Sequence, residues 1–267
     1  MDRVAYIVNS TPKYFYLLDA HFGMYRRYGS ALQWPVYFAT EVPDHPLVRA
    51  VVEKYNIELL VLPRESSDFL ESRAMALKLL PDSVKYVLMA QEDFLLERPG
   101  PDVGEIEKIL QVMENDGAVV SARLMPCPGP VGTLGPCDSW AYLDENVDTY
   151  MYTFQASLWK KDSLMMFYEM LLHYVETQVG GQYKKNTIEY NKYQVNNNPA
   201  EMVLGKKAYQ AVLQGKKHVA YIRKGSWSNA VYLCPWPYRP TAIVKGVLGS
   251  WAQELIVREG LPCVKDT

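Results

Sequence analysis

The chain has 267 residues, of which 49% are hydrophobic and 22% charged, as in a globular protein with a sizeable core. Its 28 basic and 30 acidic residues give a net charge of −2, so no general field attracts a nucleic-acid backbone and we expect no nucleic-acid partner. The first segment lacks the features of a secretory signal, and no apolar run reaches the roughly 18 residues of a spanning helix. With four cysteines and no CxxC pair, we expect a cytoplasmic protein with reduced thiols.

Strand-like and helix-like segments alternate through the first 125 residues. Short apolar runs predict strands at residues 4–8, 36–40, 58–62, 86–90 and 118–122. Apolar residues at helical spacing predict helices between them, at residues 14–25, 47–55, 69–77 and 106–113. The alternation indicates βαβ crossovers, and therefore an α/β fold with a mainly parallel central sheet flanked by helices.

The pattern changes after Arg123. Residues 125–140 contain four prolines and three glycines, which predicts a long loop. Beyond it we predict one or two strands at residues 150–159, a helix capped by Asp162, a helix beginning near Pro199, a strand at 218–222 and a last helix at 247–259. With no internal repeat or low-complexity linker, this half is interpreted as an irregular α+β extension of one domain spanning residues 1–267.

The predicted strand at residues 86–90 runs directly into two acidic residues, Glu92 and Asp93. In an open α/β sheet, ligands bind at the carboxyl ends of the strands. Two adjacent acids at the edge of a core need water, a basic partner or a bound divalent cation. We interpret them as a cation site.

Arg73 falls four residues from both Phe69 and Leu77, which places its guanidinium on a helix stripe that otherwise faces the core. A buried arginine is costly without a partner. It either extends to the surface, forms a structural ion pair with Glu92, or pairs with a phosphate at the mouth of the site through its bidentate fork.

The stretch SRAMALKLLPDSVKYVLMAQEDFLL, residues 72–96, resembles the core of nucleotide-sugar glycosyltransferases with the GT-A fold, in which a hydrophobic strand ends in an Asp-x-Asp metal motif. The resemblance implies a GT-A-like, Rossmann-related fold and a Mn²⁺ or Mg²⁺ ion on the diphosphate of the donor. Asp93 would be the principal metal ligand, Glu92 a second ligand or a contact to ribose or sugar hydroxyls, and Arg73 a contact to the diphosphate or donor sugar. Here the motif is Gln-Glu-Asp, with Gln91 departing from the pattern, so weak metal dependence or metal independence stays open.

The same resemblance suggests further donor contacts. Polar residues that follow the first two predicted strands, Asn9, Ser10, Thr11 and Glu41, stand where the family holds the nucleoside, although such residues are also ordinary turn formers. His218 begins a late strand and would add a metal ligand from the C-terminal half.

Transfer with inversion needs a carboxylate base for the acceptor hydroxyl. Glu201 and Asp138 are the candidates, and Glu201 also fits the glutamate of a helix-capping box after Asn198. Trp140 and Trp159 would stack on an acceptor sugar, or they are core residues.

The sequence as a whole predicts a glycosyltransferase that moves a sugar from a nucleotide diphosphate donor to a hydroxyl of a glycan or lipid-linked acceptor. Residues 1–125 would bind the donor and residues 126–267 the acceptor. Lysine pairs in the second half leave peripheral association with the inner face of a membrane open. The alternatives are a sugar-phosphate nucleotidyltransferase and a non-catalytic glycan-binding domain of the same fold.

Overall fold

The computed structural model describes residues 3–63, 69–126, 129–148, 150–180, 200–222, 234–240 and 242–263. Its strands are β1 (Val4–Asn9), β2 (Val36–Thr40), β3 (Glu58–Val61), β4 (Tyr86–Gln91), β5 (Val119–Arg123), β6 (Trp140–Tyr142), β7 (Ser157–Lys160), β8 (Lys217–Tyr221), β9 (Ile243–Val244) and β10 (Val247–Leu248). Its helices are α1 (Leu18–Met24), α2 (Pro46–Tyr55), α3 (Phe69–Leu79), α4 (Val103–Asn115), α5 (Lys161–Tyr174), α6 (Gly205–Val212) and α7 (Ser250–Arg258).

The first eight of these strands form one sheet in the order β3-β2-β1-β4-β7-β5-β8-β6. The strands β1 to β5 and β8 run in one direction, and β6 and β7 run antiparallel to their neighbours. The predicted α/β fold with a mainly parallel central sheet flanked by helices is therefore confirmed. The sheet takes strands from both halves of the chain, because β7 inserts between β4 and β5.

Two apolar clusters cover the two faces of the sheet, which explains why its central strands are continuous apolar runs. Along β1, Tyr6 and Val8 pack into the cluster formed with α1, α2, α4 and α7, whereas Ala5 and Ile7 pack into the cluster formed with α3, α5 and α6. Every residue of β1 is buried. A strand covered on both faces needs apolar side chains at every position rather than at alternate ones.

All five strands predicted in the first half are present, within one residue at each end. The predicted helix at residues 14–25 is less regular: a 3₁₀ segment at Pro12–Leu17 leads into α1, and a π segment follows at Tyr25–Gly29. Pro12 is tolerated there because a helix's first N–H groups have no intrahelical acceptor.

The second half departs further from expectation. Where one or two strands are predicted at residues 150–159, one strand, β7, forms at the end of the stretch. The N-cap of α5 is Lys160 rather than Asp162, which instead lies in the first turn, where its charge favours the helix dipole. The proposed cap Asn198 and Pro199 lie outside the described residues, and the helix predicted to begin near Pro199 is present as a π segment at Ala200–Leu204 that leads into α6 at Gly205.

Two further sequence predictions concern thiols and membrane spans. Cys137, Cys234 and Cys263 carry reduced thiols, and Cys127 lies outside the described residues. In the part of the chain that the structure describes, no helix has both the length and the apolar character needed to cross a membrane.

Candidate functional site

A cavity of about 320 Å³ opens at the carboxyl ends of β1, β2 and β4. We call it the acidic cavity. Six of the residues predicted from the sequence share its wall, namely Asn9, Ser10, Thr11, Glu41, Glu92 and Asp93. They meet because parallel strands end at the same edge of the sheet, which is where open α/β folds bind ligands.

Hydrogen bonds to core residues hold the turn that carries Glu92 and Asp93. It is closed by the N–H of Phe94, which donates to the carbonyl of Gln91 at 3.1 Å. The Nδ1 of His21 lies 3.1 Å from the carbonyl of Glu92, and its Nε2 lies 2.9 Å from the hydroxyl of Tyr6. Burial lowers the pKa of His21 to about 4, so the ring is neutral at pH 7. Since a carbonyl only accepts, Nδ1 carries the proton and Nε2 accepts from the phenol.

Glu92 is only 5% exposed. Burial, followed by the neighbouring charge of Asp93, raises the pKa of Glu92 to about 8, although a hydrogen bond from Ser10 and the charge of Arg73 oppose the rise. At pH 7 the group therefore carries a proton. A cation beside it would favour the ionised form and displace that proton.

Asp93 has one engaged and one unengaged carboxylate oxygen. Its Oδ2 accepts from the backbone N–H of Ile243 in β9 at 3.3 Å. Its Oδ1 is buried and has no hydrogen-bond partner among the described residues. Burial raises the pKa of Asp93, and the backbone hydrogen bond from Ile243 opposes the rise. A buried carboxylate oxygen left without a partner is costly, so this atom is suited to a ligand or cation.

Asn9 presents a second orphaned group at the same edge. The residue is 8% exposed, and neither its Oδ1 nor its Nδ2 finds a partner in the described part of the chain. It offers the cavity one acceptor and two donors. Across the cavity, Glu41 accepts from the hydroxyl of Ser72 at 2.8 Å.

The electrostatic balance of the acidic cavity is one-sided. Glu41, Glu92 and Asp93 line it, and no lysine, arginine or histidine does so within the described residues. The ionised acids of this wall would repel a diphosphate unless a cation accompanied it, because like charges repel.

A cation would have to come largely with its own oxygen ligands. Among the described residues, no group of three or more His, Cys, Asp or Glu side chains could hold a metal. Mg²⁺ typically takes one or two protein carboxylates and completes its shell with phosphate oxygens and water. Asp93 and Glu92 fit that limited role, and Asp93 Oδ1 is the oxygen best placed for it.

Arg73 lies beneath the cavity rather than in its wall. It is 1% exposed, so it does not extend to the surface, and its guanidinium carbon lies 4.6 Å from the ring centre of Phe69 and 5.4 Å from that of Phe154. Its Nε and Nη2 have no hydrogen-bond partner among the described residues. Its charge nevertheless opposes the rise in the pKa of both Glu92 and Asp93, which burial causes. It acts as a buried counter-charge behind the two acids.

Glu201 is buried near the same wall. Its Oε1 accepts from the Thr153 hydroxyl at 2.8 Å and from the Phe154 N–H at 2.6 Å. Burial raises the pKa of Glu201, and these two hydrogen bonds oppose the rise. The next residue, Gln155, lines the acidic cavity, so Glu201 holds a segment that forms part of the wall.

The structure does not bring His218 or Asp138 to the acidic cavity. The Nδ1 of His218 lies 2.5 Å from the Ser121 hydroxyl, and the ring packs against Trp159 and Tyr209. Burial, followed by the charge of Arg123, lowers the pKa of His218 to about 3, so the ring is a neutral core group. Asp138 is exposed in the loop before β6.

The two tryptophans predicted to stack on an acceptor are core residues. Trp140 is completely buried, and its indole N–H donates to Glu105 at 2.9 Å. Trp159 is 5% exposed and stacks on Phe167. Neither ring presents a face to the acidic cavity.

Several residues of the cavity wall have no clear signal in the sequence. The segment after β1 contributes Tyr14, and α3 contributes Phe69 and Ser72. The second half of the chain contributes Gln155 and Ile243. Tyr14 and Phe69 read as core positions of helices. Ser72 had one hint, its place directly before Arg73 in a motif.

No family model and no curated protein sequence matches the chain. Solved structures that it resembles include 4-diphosphocytidyl-2C-methyl-D-erythritol synthase from Anaerococcus prevotii, at 12% identity and a TM-score of 0.45, covering 85% of this chain and 91% of that one. They also include S. aureus TarS residues 1–349, at 12% identity and a TM-score of 0.47, covering 84% and 59%. A third is the glycosyltransferase GlyE of Streptococcus pneumoniae, at 12% and 0.41, covering 73% and 43%. All three TM-scores are below 0.5, so no conclusion is drawn from these likenesses.

Proposed function

We propose that the protein is a glycosyltransferase that binds a nucleotide diphosphate sugar in the acidic cavity and transfers the sugar to a hydroxyl of a glycan or lipid-linked acceptor. The observation that carries the proposal is the coincidence, at the carboxyl ends of β1, β2 and β4, of orphaned polar groups on Asn9 and Asp93 with a wall that, among the described residues, has acidic but no basic side chains. Such a wall accepts a diphosphate only together with a divalent cation, Mg²⁺ or Mn²⁺.

Each residue of the cavity would have a separate part in donor binding. Asp93 and Glu92 would hold the cation, which supplies Lewis-acid stabilisation to the departing diphosphate when bound. The carboxamide of Asn9 and the hydroxyls of Ser10 and Thr11 would bind polar atoms of the nucleoside or sugar. Arg73 would stabilise the ionised state of the acidic pair from behind, rather than contact phosphate itself, because it lies beneath the wall.

Glu201 is our candidate for the general base, although it lies behind the cavity wall rather than in it. It is buried, its pKa is raised by burial, and it is joined through residues 153–155 to the cavity wall. A base with a raised pKa is better matched to the acceptor hydroxyl near neutral pH. We do not carry His218 into the metal site, or Asp138, Trp140 and Trp159 into the acceptor site, because the structure places them elsewhere.

Calorimetry of uridine, guanosine and cytidine diphosphates with Mn²⁺ tests the donor site. We expect Asp93→Asn to weaken metal-dependent binding by about 100-fold or more, since a metal–phosphate contact is worth several kcal/mol. Asp82→Asn, at an exposed position between α3 and β4, is the matched control and should bind like the unmodified protein. Unchanged binding in Asp93→Asn would remove the basis of the proposal.

Incubation with candidate nucleotide sugars and Mn²⁺ separates the reaction classes. Slow hydrolysis of the donor supports a transferase of the proposed kind. Exchange of labelled pyrophosphate into a nucleoside triphosphate would instead indicate a sugar-phosphate nucleotidyltransferase. Nucleotide-sugar binding with neither reaction would indicate a non-catalytic binding domain.

A further inference from the structure

A second cavity, of about 520 Å³, is lined by Glu97, Arg98, Arg239, Arg258 and Glu259. We call it the arginine cavity. It brings together the chain four residues beyond Asp93, the segment before β9 and the carboxyl end of α7. None of its residues lines the acidic cavity.

Two buried carboxylates hold the guanidinium groups in place. Glu97 is 4% exposed and lies 3.1 Å from the Nε of Arg239 and 3.8 Å from the Nη2 of Arg258. Glu259 is 6% exposed and lies 2.5 Å from the Nη1 of Arg27 and 3.3 Å from the Nε of Arg258. Because each acid contacts two arginines, the guanidinium groups are positioned before any ligand arrives.

A hydroxyl extends this network to a fourth arginine. Tyr28 donates to Glu259 at 2.6 Å, and the Nε of Arg98 donates to the Tyr28 oxygen at 3.1 Å. Both Nη groups of Arg98 lack a hydrogen-bond partner within the described residues, and Arg98 is exposed at the cavity.

The charges in this network do not cancel. Four arginines, at positions 27, 98, 239 and 258, face two glutamates, which leaves these six side chains with a net charge of +2. Structural pairing of two buried glutamates would need two arginines. The positive charge in excess of these pairs, which includes the exposed Arg98 at the cavity, would attract a bound anion.

From this geometry we infer that the arginine cavity binds a phosphate group, as a phosphomonoester, a diphosphate or a phosphodiester. Planar guanidinium groups with donors in a fixed fork match phosphate oxygens bidentately, which the ammonium of a lysine does not. This site is independent of the acidic cavity. The acidic cavity would need a cation to bind phosphate, whereas the arginine cavity needs none. The phosphate belongs either to a soluble ligand or to a lipid headgroup.

Titration of inorganic pyrophosphate in the presence of EDTA tests the inference in the full chain. Chelation removes divalent cations, so the acidic cavity cannot contribute. We expect binding to the unmodified protein and a loss of affinity of about tenfold or more in the double variant Arg98→Gln/Arg258→Gln, which loses two forks. Arg98→Lys/Arg258→Lys keeps the charge and should recover part of the affinity. Arg49→Gln, which removes one arginine charge at an exposed position of α2, is the control and should bind normally.

Co-sedimentation with vesicles identifies the source of the phosphate. The comparison is between phosphatidylcholine vesicles and vesicles that also contain phosphatidylglycerol. Binding to the anionic vesicles that the double glutamine variant loses and Arg49→Gln keeps would assign the site to a lipid headgroup. Binding of pyrophosphate alone would assign it to a soluble phosphate ligand.

Two results would overturn the inference: no binding of either probe, or equal binding by the unmodified protein and the double glutamine variant. Asp93→Asn keeps its phosphate binding in EDTA if the two sites are separate. A failure of the donor site and a failure of the arginine cavity are therefore distinguishable.

Discussion

The burial of the Glu92 carboxyl predicts how the stability of the protein depends on pH, and this prediction can be tested without knowing the substrate. The pKa of Glu92 is raised from 4.5 to about 8, so between these values the folded protein keeps a proton that the unfolded chain releases. The contribution of Glu92 to the free energy of unfolding is therefore fully present below pH 4.5 and is lost as the pH rises towards 8. In the metal-free protein each pH unit inside this window lowers the free energy of unfolding by roughly 1.4 kcal/mol.

Two buried histidines act in the opposite direction at lower pH. The pKa of His21 is lowered to about 4 and that of His218 to about 3, from an ordinary 6.5. Their contributions are present above pH 6.5 and are lost as the pH falls. Below pH 6.5 the histidines outweigh Glu92, and above it Glu92 acts alone among these three. The combined contribution of these three groups has its maximum near pH 6.5 and falls by about 2 kcal/mol from there to pH 8.

Urea denaturation in EDTA at half-unit pH steps from 5.5 to 8.5 measures this profile. Glu92→Gln preserves the shape of the side chain and has no proton to lose, so its free energy of unfolding should be about 2 kcal/mol flatter between pH 6.5 and 8. Glu53→Gln, at an exposed position of α2, should follow the unmodified protein. If Glu92→Gln also followed it over that range, the carboxyl of Glu92 would not be held neutral by burial and the reasoning would be refuted.

Three further substitutions test the acidic cavity, the candidate base and the assignment of Trp140 to the core. Asn9→Leu removes an orphaned carboxamide, so the free energy of unfolding measured in urea should rise by about 1–3 kcal/mol, and calorimetry should show no nucleotide binding. A lower free energy of unfolding would show that the amide has hydrogen-bond partners. In Glu201→Gln the side chain can still accept from the N–H of Phe154, so the variant should have normal stability and donor binding. If Glu201 is the base, sugar transfer should be about 100-fold slower. Unchanged turnover would show that Glu201 is a purely structural residue. Trp140→Phe should lose about 1–3 kcal/mol of stability, because the hydrogen bond to Glu105 disappears, with acceptor kinetics unchanged; a raised KM for acceptor would contradict its assignment to the core.

The sequence was sufficient for the features that depend on local pattern. The sheet buries β1 and β4 on both faces, so an unbroken apolar run was enough to locate these strands and, with them, the loops at their ends. Asn9 and Asp93 were found for that reason: each follows or ends a central strand of a parallel sheet. Chain order alone placed them at one edge.

Only the tertiary structure decided what depends on contacts between distant segments. Gln155 and Ile243 reach the cavity because β7 inserts between β4 and β5 and because β9 donates its N–H to Asp93, and neither event leaves a local signal. The arginine cavity is likewise assembled from segments as far apart as residues 97 and 259.

The aromatic residues and His218 show the same limit from the other side. A tryptophan or histidine in a strand has the same local pattern whether it faces a ligand or the core. In this fold β7 and β8 lie inside the sheet and β6 forms one of its edges, and the packing of other elements leaves Trp140, Trp159 and His218 buried. Local sequence determines which face a side chain occupies, and only the packing of distant elements determines what covers that face.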